Sequence, residues 1–413
     1  MEALTNLAAI WTGVLLAALA ARYARLTPVL FFLAFGALMV NFGILPVETH
    51  PFIRGFAEIG IIVIMFALGF EENTAVFMAS VKRSWGIAFF GALFPFLAAY
   101  GVAWEIWQDS NIAMMCGLAM TATAVSLTMV SLRGEGLNAS PAATRIMTSA
   151  VLDDIASLAL VAVMVPIATG ERSADISEIA TIIAEAVGFF LAVSIVGAWV
   201  FPHERTGLAK RLLGSIGIRQ MLSFQHGEYA TLAVLLLAVG VGIVAHYFGF
   251  HPAVGAYMAG LILKEEYFHS DREASIYSYN ETRRMVDNVA YSWIGPVFFV
   301  DLGSRLIFDL DIFLAVIPYT VIMTLSLLVA QVVSAAVAAR YTGGMKRAGS
   351  IMIGIGMLGR AELAFVVMDI AYVQNQILNT EAFYTLMFTA FWLNVSVPIL
   401  IRLWRPAYER ELG

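Results

Sequence analysis

The chain has 413 residues, of which 60% are hydrophobic and 13% charged, and its mean hydropathy is +0.83. A soluble domain carries about 25% charged residues, so the apolar excess is more than one water-facing fold can bury, and the composition specifies a polytopic membrane protein. The net charge of −6 excludes little, because in a membrane the placement of charge matters more than its sum. The single cysteine, Cys116, excludes an intrachain disulfide and a cysteine-based metal site.

Thirteen apolar spans of roughly membrane length follow one another, at about 4–21, 27–45, 56–70, 85–107, 111–132, 142–166, 179–201, 228–249, 252–268, 286–304, 312–339, 348–373 and 380–401. No sustained alternation of period two is present, which argues against a β-barrel. The first span has no basic leader and no small-residue cleavage signal, so it reads as a retained helix. The longest polar connectors are 202–227 and 269–285, and no soluble domain is expected. The expected fold class is therefore an all-α polytopic membrane protein.

Basic residues set the expected orientation. Connectors after odd-numbered spans, with the C-terminal tail, carry 20 Lys and Arg residues, among them Arg22, Lys82, Arg133, Arg205, Lys264, Arg283, Arg340 and Arg405; the even connectors carry only Arg54, Arg172 and Arg305. Positive-inside reasoning places the odd side in the cytoplasm, with the N-terminus outside and the C-terminus inside, as an odd span count requires. An internal repeat is visible as well. Pro28 to Gly36 in span 2 resembles Pro252 to Gly260 in span 9, and Phe66-Ala67-Leu68-Gly69 in span 3 resembles Val300-Asp301-Leu302-Gly303 in span 10. Both offsets are seven spans, an odd number, so spans 1–6 and 8–13 would form two inverted six-helix repeats with span 7 as a linker helix, a plan common among secondary transporters.

Two repeat-related spans look interrupted. Span 5 holds Thr121, Thr123, Ser126 and Thr128, and span 12 holds Gly354, Gly356, Gly359, Arg360 and Glu362. Unwound backbone at mid-membrane depth frees carbonyls that coordinate cations. Thr121, Thr123 and Ser126 are candidate ligands through hydroxyl or carbonyl oxygens; packing through small residues is the plain alternative. For Arg360 and Glu362 the simpler reading is a network that locks the break, the other that they offset the dipole ends beside an ion site. Gly354-x-Gly356-x-x-Gly359 spells a dinucleotide fingerprint but lacks its strand-turn-helix context.

The strongest feature is Asp153-Asp154 in span 6. An ionised residue at the bilayer centre costs about 2.5–3.5 kcal/mol on insertion scales and is normally kept for function. Asp154 lies about twelve residues into the span, or ~18 Å at 1.5 Å per residue, near the midplane. Two carboxylates there cannot both stay ionised cheaply, and an acid of this kind trades a proton for a hard monovalent cation such as Na+, which prefers oxygen ligands. Both acids are candidate sodium ligands. The remaining possibility is a structural pair neutralised by a basic residue on another span. The histidines His203, His226, His246, His251 and His269 sit at helix ends or in connectors without metal-ligand spacing, and no mid-span histidine offers a base for a hydrolase, so an enzyme is not expected.

In order and spacing, these segments resemble the second class of monovalent cation:proton antiporters, the NapA-type sodium/proton and Kef-type potassium/proton proteins. The resemblance runs from Arg25-Leu26-Thr27-Pro28 and Glu58-Ile59-Gly60 through Arg133 to Asn138 and Val151 to Asp154. It continues at His251 to Ala256, Pro296 to Gly303 and Gly359 to Phe365. It implies a homodimer in the lipid bilayer and a mobile core holding crossed, broken spans 5 and 12. On that plan the scaffold is about 4–70 and 179–304, and the core about 85–166 and 312–401. It also implies that Asp154 carries the cation or proton and that Asp153 assists. The Asp-Asp pair follows the sodium-selective pattern, where Kef-type proteins have Gln first. The chain departs from electrogenic members in span 11, where they carry a lysine and this sequence has Gln331 and small hydroxyls, and gating through a Kef-type nucleotide-binding tail is not expected. The expected function is antiport of H+ against Na+, with Li+ a further substrate, without a cofactor or nucleic-acid partner. The alternatives are potassium/proton antiport or Kef-like potassium efflux, and a sodium-coupled organic-solute symporter.

Overall fold

The computed structural model describes residues 2–24, 26–71, 74–170, 228–268, 272–360 and 362–412, with isolated positions between 177 and 222. Arg25 and most of span 7 and of connector 202–227 lie outside the described residues, as do the side chains of residues 72–83, 125–126, 151, 155, 266 and 271–277. Among the described residues all regular structure is helical. The helices are α1 (Glu2–Ala24), α2 (Pro28–Asn41), α3 (Pro51–Glu71), α4 (Thr74–Trp107), α5 (Ser110–Ala119), α6 (Val125–Gly134), α7 (Pro141–Ala168), α8 (Ala230–Tyr247), α9 (Pro252–Leu261), α10 (Arg272–Asn288), α11 (Gly295–Gly303), α12 (Leu310–Tyr341), α13 (Arg347–Gly356), α14 (Glu362–Asp369) and α15 (Thr380–Leu412).

Local chemistry explains the helix starts. Proline opens α2, α7 and α9, where its fixed φ suits the first turn and its missing N–H costs nothing. Asp109 caps α5 through the amides of Asn111 and Ile112 at 2.8 and 3.1 Å, and Asp309 caps α12 through Asp311 and Ile312 at 2.8 and 3.2 Å. Two short π turns, Val289–Trp293 and Ile370–Gln374, follow α10 and α14.

Seven of the described helices are long and apolar enough to cross a membrane. Their burial pattern has the sense expected in lipid. On α12, Val321, Leu325, Val329, Val333 and Val337 are exposed, whereas Thr320, Gln331 and Ser334 are buried. Lipid offers no partner to a polar group, so polar side chains turn inward and apolar ones outward. The chain is a multi-pass membrane protein.

The helices pack into two compact units. The first comprises residues 1–14, 45–74 and 174–301. Here α9 packs on both α3 and α8. A Cβ at Gly69 would meet the Tyr257 carbonyl, and one at Gly260 the Phe66 carbonyl, so paired glycines set a close helix approach that neither alanine could accept. Phe66, Phe70 and Phe268 stack in series, Tyr279 meets Phe70 and Phe268 edge-on, and Arg283 pairs with Glu71 at 2.9 Å.

The second unit comprises residues 15–44, 75–173 and 302–413. In it α12 packs against α13 and α15, α13 against α7 and α15, α5 against α7 and α14, and α6 against α15. A Cβ at Gly303 would meet the Leu33 carbonyl. The end of α15 ties several helix starts together. Tyr408 Oη accepts from the Ala142 amide at 3.1 Å, and the Glu411 carboxylate takes the Ala348 and Gly349 amides at 2.7 and 2.8 Å. Arg405 also pairs with Glu135 at 2.9 Å.

Candidate ion-binding site

All of the site lies in the second unit. Span 5 stops as a helix at Ala119 and restarts at Val125; span 12 stops at Gly356 and restarts at Glu362. The non-helical stretches touch, because the Ala124 amide donates to the Gly359 carbonyl at 2.8 Å. Thr128, in the first turn of α6, donates its hydroxyl to the Gly356 carbonyl at 2.6 Å, satisfying an acceptor left over at the end of α13. A Cβ at Gly359 would lie 3.0 Å from the Ala124 Cβ, which is why glycine occupies the closest approach of the two breaks. Asn394, from α15, completes the joint: its Nδ2 donates to the Arg360 carbonyl at 2.6 Å and its Oδ1 accepts the Arg360 amide at 3.0 Å.

The acids come from α7. Asp153 is fully buried, and its Oδ2 accepts the Thr123 amide at 3.1 Å. That amide belongs to the open end of α6, where unpaired N–H groups and the helix dipole favour negative charge. The Thr123 hydroxyl lies beside the same carboxylate but makes no hydrogen bond of good geometry. Asp153 Oδ1 is also buried without a protein hydrogen bond. Asp154, the next residue, is half-buried. The two acids thus differ in access: one is sealed against a helix end, and the other keeps a partly open surface.

Arg360 is fully buried and electrostatically coupled to Asp153. Its Nη1 donates to the Met357 and Gly359 carbonyls at 3.2 and 3.1 Å, so the guanidinium neutralises the carbonyl end of α13. Its Nη2 donates to Gln331 Oε1 at 2.7 Å, and Gln331 Nε2 donates to the Gly91 carbonyl at 2.9 Å. The arginine therefore bridges the end of α13 to Gln331 of α12 and sits within electrostatic reach of Asp153.

The structure brings together Thr123, Asp153 and Arg360. Thr121 is buried, but its hydroxyl donates back to the Gly117 carbonyl at 2.9 Å. Glu362 is half-buried in the first turn of α14, where a carboxylate complements the dipole. The Ser126 side chain lies outside those described. Asn394 and Thr128, which hold the breaks in place, were not among the candidates; the only sequence signal for Asn394 was an amide deep within an apolar span.

Comparison with known proteins places the whole chain. The chain is 23% identical over 348 residues to the Na(+)/H(+) antiporter of Enterococcus hirae, covering 83% of each chain. It is 24% identical over 323 residues to the Na(+)/H(+)-K(+) antiporter GerN of Bacillus cereus, covering 78% of this chain and 75% of the relative. The structure of the sodium proton antiporter MjNhaP1 from Methanocaldococcus jannaschii aligns with a TM-score of 0.71 at 14% identity, over 97% of this chain and 99% of that one, a likeness of fold. The sodium/hydrogen exchanger transmembrane family matches residues 10–402, nearly the full length, and the chain belongs to that family.

Proposed function

We propose that the protein is a secondary active antiporter that exchanges H+ for Na+, with Li+ as a further substrate, by alternating access, and that Asp154 carries the ion. The observation behind this reading is the asymmetry of the acid pair. Asp153 is buried against the Thr123 amide and coupled to Arg360, while its neighbour is half-buried on the same helix of a sodium/hydrogen exchanger family member. A proton and a sodium ion compete for Asp154; Thr123, Thr121 and Ser126 lend oxygen ligands, and Asp153 assists from its fixed position. Either cargo neutralises part of the charge and lowers the cost of crossing, whereas the empty, fully charged site crosses poorly. That difference enforces exchange. Arg360 and Glu362 stabilise the broken helix.

The thirteen-span topology with inverted repeats gains support from one register match. Gly69 closes on the carbonyl of Tyr257, five residues after Pro252, and Gly303 closes on the carbonyl of Leu33, five residues after Pro28. The division into two units supports a scaffold of about 4–70 and 179–304 and a transport core of about 85–166 and 312–401, although residues 15–44 group with the second unit. A homodimer in the cell membrane of a bacterium, N-terminus outside and C-terminus cytoplasmic, completes the proposal.

A potassium/proton reading is favoured by one observation, the resemblance to GerN, whose name includes both cations. Everted vesicles carrying a pH-sensitive dye separate the two. Pulses of NaCl and LiCl are expected to release the imposed proton gradient, and KCl at the same concentration to release far less. Release by KCl alone would replace the sodium assignment, and release by none of the three would refute antiport.

A further inference from the structure

Helix α7 carries a second polar feature besides the adjacent acids. Ser149, Asp153 and Ser157 recur every fourth residue, so they share one face and span about 12 Å along the axis at 1.5 Å per residue. All three are at most 1% exposed. Ser149 Oγ, Asp153 Oδ1 and Ser157 Oγ each lack a protein hydrogen bond, and so does Arg360 Nε. A buried hydroxyl or carboxylate oxygen without a partner costs about 1–3 kcal/mol, more when charged, and native proteins leave few such atoms unpaired.

The surrounding helices do not meet this demand with charge. Helix α5 has no charged side chain, α6 has only Arg133 near its end, and α13 has only Arg347 at its start. Arg360 is the buried cation coupled to Asp153, and its Nη atoms are already engaged by Met357, Gly359 and Gln331. Small hydroxyls flanking a carboxylate match what a bound water needs, two to four polar partners in a confined polar site.

We propose that Ser149, Asp153 and Ser157 line a buried hydration site, a short file of water molecules on one face of α7 that solvates the Asp153 oxygen the Thr123 amide leaves free. The file supplies the partners that the two serine hydroxyls and Asp153 Oδ1 lack within the protein, and so fixes the Asp153 carboxyl on the helix that also carries Asp154. This role rests on the reading of the acid pair as the ion site; the existence of the waters does not.

The test is a structure of the wild-type protein in lipid nanodiscs at a resolution that shows ordered water, paired with transport by Ser149→Ala/Ser157→Ala. Water density is expected within hydrogen-bond distance of both serine oxygens and Asp153. The double variant is expected to melt as wild type and to keep the sodium concentration for half-maximal exchange. Its maximal rate should fall about tenfold, the scale of one lost hydrogen bond. Ser84→Ala, which removes an equally buried unpartnered hydroxyl on α4, serves as control and leaves the rate unchanged. A dry face with both serines donating to their own helix overturns the proposal, as does a cation in the density or a wild-type rate in the double variant. If the variant does not fold, the wild-type density alone decides. Water density together with full exchange by Asp154→Asn would retain the hydration site and reject the ion-site reading.

Discussion

At the scale of single residues, the acids were legible and their partners were not. Asp153 and Asp154 stand out because charge is costly in an apolar span, and no folding information is needed to see them. Gln331 and Asn394 are neutral amides, tolerated in many membrane helices, and their significance appears only once Arg360 is seen between them. Arg360 holds two terminal carbonyls and one amide while fully buried. Arg360→Ala leaves those acceptors without a donor and removes the buried cation that interacts with Asp153. It is expected to cost about 3–5 kcal/mol, the usual effect of removing one side of a buried ionic network. Arg360→Lys should recover only part, since an ammonium cannot reproduce the planar fork. Thermal unfolding in detergent reads both; an alanine variant as stable as wild type would remove the lock from the account.

At the scale of elements, both helix interruptions were visible as clustered hydroxyls and glycines, because those residue types satisfy or permit non-helical backbone. Two features were not visible. The π turns at Val289–Trp293 and Ile370–Gln374 sit in ordinary apolar sequence, where periodicity cannot register one extra residue per turn. The helix α15 runs on past the apolar limit at 401 to Leu412, because its polar end has tertiary partners. Tyr408, Glu411 and Arg405 fasten the starts of α7 and α13 and the turn after α6. Glu411→Gln keeps the shape but removes the charge at the α13 N-terminus, and should lower stability by about 0.5–1 kcal/mol. Deleting residues 403–413 removes every tie and should lower the melting temperature far more. Equal melting of the truncated and full chains would show that these contacts contribute nothing. In the first unit, Gly69→Ala forces a Cβ into the Tyr257 carbonyl and should cost about 1–3 kcal/mol.

At the scale of the whole molecule, composition established the membrane class, and basic-residue placement gave an orientation that labelling can check. Cys116 is fully buried, so single reporter cysteines can be read against the native background. With the proposed topology, Glu2→Cys reacts with an impermeant maleimide from outside right-side-out vesicles and Leu412→Cys only after lysis; the reverse pattern would invert the protein. The scaffold and core division is proposed through resemblance, since no linker or composition shift marks it, and most of span 7 lies outside the described residues. The central claim is that Asp154 exchanges the ion while Asp153 supports it from a sealed position, and the measurement that tests it most directly is sodium-driven proton release from proteoliposomes containing Asp154→Asn. The account predicts that exchange is abolished in a protein that still folds, and that Asp153→Asn retains measurable exchange with altered apparent sodium affinity. Full exchange by Asp154→Asn would contradict it.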